Sequence, residues 1–310
     1  MTPQPPGSPI VDLAPLSKPV EKLIEVVAQG IGGVYKPVGT VLQARADSKA
    51  KMILAAGEIQ VSELYRRMAE RLIYTEIERQ KNLEEIVSKA PASLPAHVSD
   101  KPVDKDWITH FFGAAQDVSD GDMQTLWARI LAGEVAHPGS TTRRTLEFLK
   151  TLSKAEAEMI GAVASVSFVD HTGWSLLVEE TITAKTLNEL FGGRDVWRHM
   201  IDIGIVATEP ISIPASKVGF LRFTYGALSY KLTGPPPPGT TSSGLALMEQ
   251  YLLIRRLSVI GNELFKVVDP TPRDGFIDKL SAELQKEIKV RIDPDTGNPQ
   301  SQSANDGATP

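Results

Sequence analysis

The chain contains no cysteine, which excludes a disulfide framework, a thiolate metal site and a cysteine nucleophile together. Histidine is scarce as well. The five present, His97, His110, His137, His171 and His199, are scattered through linkers and helix ends and form no ligand cluster. No run of about 18 apolar residues occurs, and the proline-rich start Met1–Pro9 lacks the basic stretch and apolar core of a secretory signal. These absences lead to the expectation of a soluble, cytoplasmic protein. Charge of one sign is missing too: the net charge of -5 gives no whole-chain preference for nucleic acid. Catalytic motifs are equally thin. Gly30-Ile-Gly-Gly33 is not followed by Gly-Lys-Ser/Thr and no strand precedes it, so it is no phosphate loop. No Gly-x-Ser-x-Gly elbow accompanies the pair Asp170-His171, which reads as a turn. No enzymatic activity, cofactor or metal is therefore expected.

What the chain does contain is helical periodicity in its first half. Residues 1–16 are proline-rich and expected to be disordered. Ser17 caps a helix whose Val20, Leu23, Ile24, Val27 and Ile31 share one face, and Gly30, Gly32 and Gly33 are expected to end it. From Val38 to Ala90 no proline interrupts, and Leu54, Val61, Leu64, Met68 and Leu72 form a seam close to that of a coiled coil, resumed by Leu83, Ile86 and Ala90. One very long helix, or two in line with a break at Gly57, is expected there. Nine Lys/Arg against eight Asp/Glu between residues 39 and 90 suit a solvated face or a partner helix. The expected partner is a second copy of the chain or another protein, bound through this helix.

Pro91, Pro95 and Pro102 mark a linker, and residues 104–168 read as a compact bundle of four short helices. Trp107, Ile108, Phe111 and Phe112 make the apolar face of the first. Ser119 and Asp122 give the capping pattern of the second, Ser140 or Thr141 caps the third, and Ser153 with Glu156 forms a capping box for the fourth. Residues 174–290 change texture. A strand at 174–178, helices at 185–191 and 194–203, and β-rich stretches at 211–213, 219–225, 228–232 and 252–256 lead to a helix capped by Ser258. Residues 293–310 read as a disordered tail. The fold class expected is mainly α: a long N-terminal helix, a helical bundle, and a small α+β domain of winged-helix type.

The run Trp127-Ala-Arg-Ile-Leu-Ala-Gly-Glu134, with Pro138-Gly-Ser140 and Arg144-Thr-Leu-Glu-Phe-Leu-Lys150, resembles the bacterial family called domain of unknown function 2806. Asp104-Lys-Asp-Trp107, Asp117-Val-Ser-Asp120, Arg79-Gln-Lys-Asn-Leu-Glu-Glu-Ile86 and Leu257-Ser-Val-Ile-Gly-Asn-Glu-Leu264 fit the same pattern. Thr141, after the serine, departs from it, since an aromatic residue is expected there. The resemblance implies an architecture and no catalytic residues. Some relatives are similar to proteins of abortive-infection or phage-defence gene neighbourhoods, an association that says nothing about mechanism. The long seam leads to the expectation of a non-enzymatic helical scaffold, serving as a sensor or effector in bacterial defence, and a membrane-associated abortive-infection effector is an alternative.

Four residue groups merit weighing. Trp107, Trp127, Arg129, Glu134, Arg144 and Leu146 form the signature. An Arg144–Glu134 ion pair across the His137-Pro-Gly turn, with Trp127 in the core, is expected to set the angle between two helices, and a binding pocket is the alternative. Glu134-Val-Ala-His137 has the Glu-x-x-His spacing of di-iron bundles, but no second such motif exists, so His137 reads as a residue at a helix C-terminus. Arg194, Arg198 and His199 on a helix, with Lys217, Arg222 and Lys231 on a hairpin, occupy the positions a DNA contact requires. Asp195 and Asp202 share that helix, and nine Lys/Arg against six Asp/Glu over 185–268 make a thin basic face. A DNA-binding regulator is thus the alternative to the scaffold. The first helix, with Glu21 and Lys22 on its polar side, suits packing on a neighbour better than a membrane surface.

Overall fold

A computed structural model describes residues 17–31, 63–179, 181–239, 248–268 and 271–295. The proline-rich lead, Gly32, Gly33, Gly57, the seam positions Leu54 and Val61, and the tail beyond residue 295 lie outside the described residues. The chain divides into two compact units, Met1–Lys150 and Thr151–Pro310.

The described part of the first unit is helical: α1 (Lys18–Ile31), α2 (Glu63–Lys89), a 3-10 turn (Ala90–Ser93), α3 (Lys105–Ala115), α4 (Gly121–Ala136) and α5 (Arg143–Thr151). Short polar side chains set the helix starts. Asp104 accepts from the Trp107 amide at 2.8 Å, and Asp120 accepts from the amides of Asp122 and Met123 at 3.0 Å each. Asp120, not Ser119, therefore caps α4. Aromatic rings fill the centre. Phe111 stacks on Trp107 at 5.1 Å between centroids and meets Trp127 edge-on at 5.4 Å.

Helix α1 lays Leu23, Val26 and Val27 against α3 and α4. The described helix ends at Ile31, one residue after Gly30, where a Cβ would stand 2.0 Å from the ring of Phe112. The apolar face considered for a membrane is thus already occupied. No helix among the described residues is long and apolar enough to cross a bilayer.

Helix α2 has two regimes. Leu83, Ile86 and Val87 are buried where it packs on α4, Asn82 donates to the Gln116 carbonyl at 3.0 Å, and Arg79 pairs with Asp117 at 2.7 Å. From Glu63 to about Glu76 nearly every side chain faces solvent.

The second unit overturns the expected fold class. In place of a winged-helix domain with a small hairpin it holds a seven-stranded antiparallel sheet in the order β3-β6-β2-β1-β4-β5-β7. The strands are β1 (Phe168–Asp170), β2 (Ser175–Val178), β3 (Ile211–Pro214), β4 (Arg222–Tyr225), β5 (Leu228–Thr233), β6 (Tyr251–Arg256) and β7 (Arg291–Pro294). The hairpin of β1 and β2 sits in mid-sheet, which joins what read as a separate wing to the returning strand β6. Helices α6 (Lys154–Ser165), α7 (Thr181–Leu190), α8 (Val196–Asp202), α9 (Val259–Val268) and α10 (Phe276–Glu287) complete the unit.

Alternation along the strands buries Phe168, Phe223, Tyr225, Tyr230 and Leu232 on one face. Phe168 meets Phe223 at 4.6 Å, and Phe276 of α10 lies 6.0 Å from Tyr225 and 6.3 Å from Phe168. The Tyr225 hydroxyl accepts from the Arg273 amide at 2.7 Å and lies 2.8 Å from the Ser165 carbonyl, tying α6 and the approach to α10 to the sheet. Burial raises the pKa of that phenol. Arg255, in β6, is buried: it forks onto Glu179 at 2.7 and 2.8 Å and donates to the carbonyls of Ala207 and Thr208, closing the irregular stretch before β3.

Gly261 in α9 faces the Ile205 carbonyl oxygen at 2.3 Å from where a Cβ would lie. Alanine at a helix interior is ordinarily favoured over glycine by about 1 kcal/mol. Here the rigid backbone oxygen reverses the sign, since overpacking costs about 1–3 kcal/mol. Gly261→Ala is expected to lower the thermal midpoint of the second unit; a rise would show that the backbone at Ile205 yields freely.

Candidate functional site

Glu134, in the last turn of α4, is 1% exposed. Its carboxylate reaches forward over the His137-Pro-Gly turn, accepting from the Gly139 amide at 2.6 Å, the Ser140 hydroxyl at 3.1 Å and the Thr141 amide at 3.0 Å. Three donors replace the water a buried carboxylate loses, and each hydrogen bond to a charged group contributes about 1.5–3 kcal/mol. The expected Arg144–Glu134 ion pair does not form. Arg144 is exposed on α5, and the clamp uses backbone amides instead.

Thr141 serves both sides of this joint, for its carbonyl accepts the Trp107 indole N–H at 2.8 Å. Leu146, one turn into α5, is fully buried. Trp127 is 0% exposed in the core; Arg129, on the same helix, is half-buried. His137 is the C-cap of α4, its amide bonded to the Gly133 carbonyl, and its side chain is exposed.

A groove of about 690 Å³ borders the clamp, with Lys101, Lys105 and Arg143 on its walls. Its two carboxylates, Asp104 and Glu134, are engaged by backbone amides. Lys22 of α1 donates to the carbonyls of Ser99 and Lys101 at 2.7 and 2.8 Å. Burial lowers its pKa, opposed by the charges of Asp100, Glu25 and Glu134. No group of three metal-ligating side chains occurs among the described residues.

In the second unit, a cavity of about 380 Å³ is lined by Ser153, Glu156, Arg194 and His199. Glu156 stands between the other polar groups: the Ser153 hydroxyl donates to it at 2.7 Å, and His199 Nε2 lies 3.2 Å from its second oxygen. A hydrolytic triad needs the imidazole in the middle. Here the serine and the carboxylate close the capping box that starts α6. The Ser153 amide and hydroxyl, and then His199, hold the Glu156 pKa below its ordinary value despite partial burial.

Four of the residues read as a DNA contact are spread over several elements. Arg194 precedes α8 and is exposed at the cavity, Arg198 pairs with Asp202 at 3.0 Å, Lys217 lies on the 3-10 turn Ala215–Phe220, and Arg222 pairs with Asp295 at 3.2 Å. Two of the four are thus neutralised locally. Lys231 is the cross-strand neighbour of Arg222, with Asp293 on its other side. Asp170 is a turn anchor: its carboxylate accepts from the amides of Thr172 and Trp174 at 2.8 and 3.0 Å, while His171 is exposed. Burial would raise its pKa, and these hydrogen bonds outweigh it, leaving a net lowering.

A further surface stands out on α2. Leu64, Met68 and Leu72 are 58%, 48% and 61% exposed, with Tyr65 and Tyr74 beside them. The seam periodicity had marked these positions.

Residues 66–197 match the family described as "Protein of unknown function (DUF2806)". No curated protein and no solved structure matches the chain.

Glu134→Gln places an amide NH₂ where amide N–H groups already point, and is expected to destabilise the first unit by about 1–3 kcal/mol. Arg144→Ala is expected to change stability by less than about 0.5 kcal/mol. Denaturant unfolding of both variants checks this, and a large loss in Arg144→Ala would restore the ion pair as the joint. For Glu156, a folded pKa below the unfolded one adds stability at neutral pH that is lost as pH falls from the ordinary glutamate range through the lowered value. Melting of the Glu156→Gln variant should therefore depend less steeply on acid over that window than melting of the native chain. Equal slopes would refute the assignment.

Proposed function

We propose that the chain, whose residues 66–197 match this family of unknown function, is a helical interaction protein that self-associates through the N-terminal half of α2. The supporting observation is the exposed stripe of Leu64, Met68 and Leu72 on one helix face. Scattered apolar side chains on a surface need no explanation, but an aligned set on a projecting helix does. Burying such side chains contributes roughly 1.5–3 kcal/mol each. The same segment carries Glu63, Arg66, Arg67, Glu70 and Arg71, and Arg66 already bridges Glu63 and Glu70 within the helix. Those bridges keep the helix soluble and helical without using the apolar face.

Glu134, the buried carboxylate among the first unit's described residues, holds a turn, which supports an interaction role over a catalytic one. The absence of cysteine suits work in a reducing compartment, and we place the protein in the cytoplasm.

Light scattering at tens of micromolar should give twice the single-chain mass of 33.7 kDa. The double substitution Leu64→Glu and Leu72→Glu should return the single-chain mass without lowering the melting temperature, because both side chains are solvent-exposed in the single chain. A native chain that stays monomeric under these conditions would rule the proposal out.

A further inference from the structure

The orientation of that association can be derived from α2 itself. Val61, Leu64, Met68, Leu72, Leu83, Ile86 and Ala90 lie on one eleven-residue repeat of spacing 3, 4 and 4, with Thr75 and Arg79 filling its other positions. That repeat averages close to the α-helical period, so the stripe runs nearly straight along the described helix. Its C-terminal part, Leu83, Ile86 and Ala90, is buried in the first unit's own core, and its N-terminal part, Leu64, Met68 and Leu72, is open. One face therefore serves two purposes: half is an intramolecular interface, and the other half is that interface continued past the end of the bundle.

Building on the self-association reading, we infer that a second copy docks antiparallel on the overhang of α2, with the twofold axis passing beside Met68. A parallel, in-register partner is excluded by bulk. Its own Leu83 to Ala90 segment would have to lie along the face of α2 that packs on α4, and the two bundles would claim the same space. An antiparallel partner leads its bundle away to the opposite end. Centred on Met68, the stretch shared by the two copies runs from Glu63 to Ile73, about 16 Å at 1.5 Å per residue, enough for the three apolar positions.

The stripe also has the symmetry that a twofold contact requires. Leu64-x-x-x-Met68-x-x-x-Leu72 reads the same in both directions about Met68. Reversal about that residue sets Leu64 against Leu72 of the other copy and Met68 against Met68, so an isologous patch forms from three positions. Methionine at the axis suits a self-contact, since its unbranched side chain adapts to its own image. Three arginines and two glutamates between residues 63 and 72 leave a small net charge to be brought together. The patch is short, so the association belongs to the weaker class of interfaces.

A chain without cysteine permits a direct test. Met68→Cys, Leu64→Cys and Leu72→Cys are each placed in the full-length protein and oxidised at tens of micromolar, alone and in pairs, with light scattering run in parallel. The antiparallel arrangement predicts that Met68→Cys links to itself. Leu64→Cys and Leu72→Cys should link only when mixed with each other, because each lies about 12 Å from its own image along the axis. Self-linking of all three variants with comparable yield would overturn the antiparallel register while leaving self-association through α2 standing. A dimer by light scattering with no link at any position would overturn both the register and the use of this face, and a strict monomer would remove the premise.

Discussion

The geometry of the first unit depends on a buried carboxylate held by the donors of a turn. Glu134 must be satisfied inside the protein, and the turn after α4 is folded so that its amides do this. Once Gly139 and Thr141 are fixed, the start of α5 is fixed, and the Thr141 carbonyl is presented to the Trp107 indole. Trp107 stacks on Phe111, and Phe111 contacts Phe112 and Trp127. A single anion thus organises the packing of α3, α4 and α5. The dependence is asymmetric: making the turn's bonds yields a modest net gain, whereas leaving the carboxylate buried without them would cost several kcal/mol.

That bundle also determines what α2 can do. Its C-terminal half is held by apolar burial and by the contacts of Arg79 and Asn82, so its direction is set by the core it leaves. Among the described residues, the N-terminal half inherits the direction but little of the cover. A helix supported at one end presents its side chains at a defined angle and height, which a flexible segment could not do.

Periodicity made much of the first unit readable. Helices α3 and α4 and the apolar positions on α2 follow from spacing and capping, and Ser153 with Glu156 forms the capping box that the sequence pattern indicates. The clamp was harder to see. Glu134 and Arg144 suggest an ion pair by charge, and nothing in residue identity announces that backbone amides will serve the carboxylate. Gly30 had a second role that spacing does not show: the ring of Phe112 lies where its side chain would be. In the second unit the strands β2 to β6 were locally legible, but their order was not. β1 is three residues long, β7 is polar and sits where the chain reads as tail, and the pairings that place β1 and β2 in mid-sheet are long-range. Helix α10 did leave a signal in Phe276, Leu280 and Leu284, spaced by four and buried together. Arg255 left none, since an arginine in a strand ordinarily points to water.

The signature from Trp127 to Glu134 can be understood without chemistry on a substrate. A catalytic carboxylate must be able to change its protonation or its partners during turnover, whereas the oxygens of Glu134 are bonded by three donors on a turn with little room to move. A tryptophan that recognises a ligand exposes part of its ring, whereas Trp127 is fully buried. Its indole N–H lacks a hydrogen-bond partner among the described residues, a cost of about 1–3 kcal/mol that apolar contacts around so large a ring can offset. Glu134 and Trp127 are therefore engaged in building the first unit. What that construction leaves uncovered includes, on α2, the exposed Leu64, Met68 and Leu72.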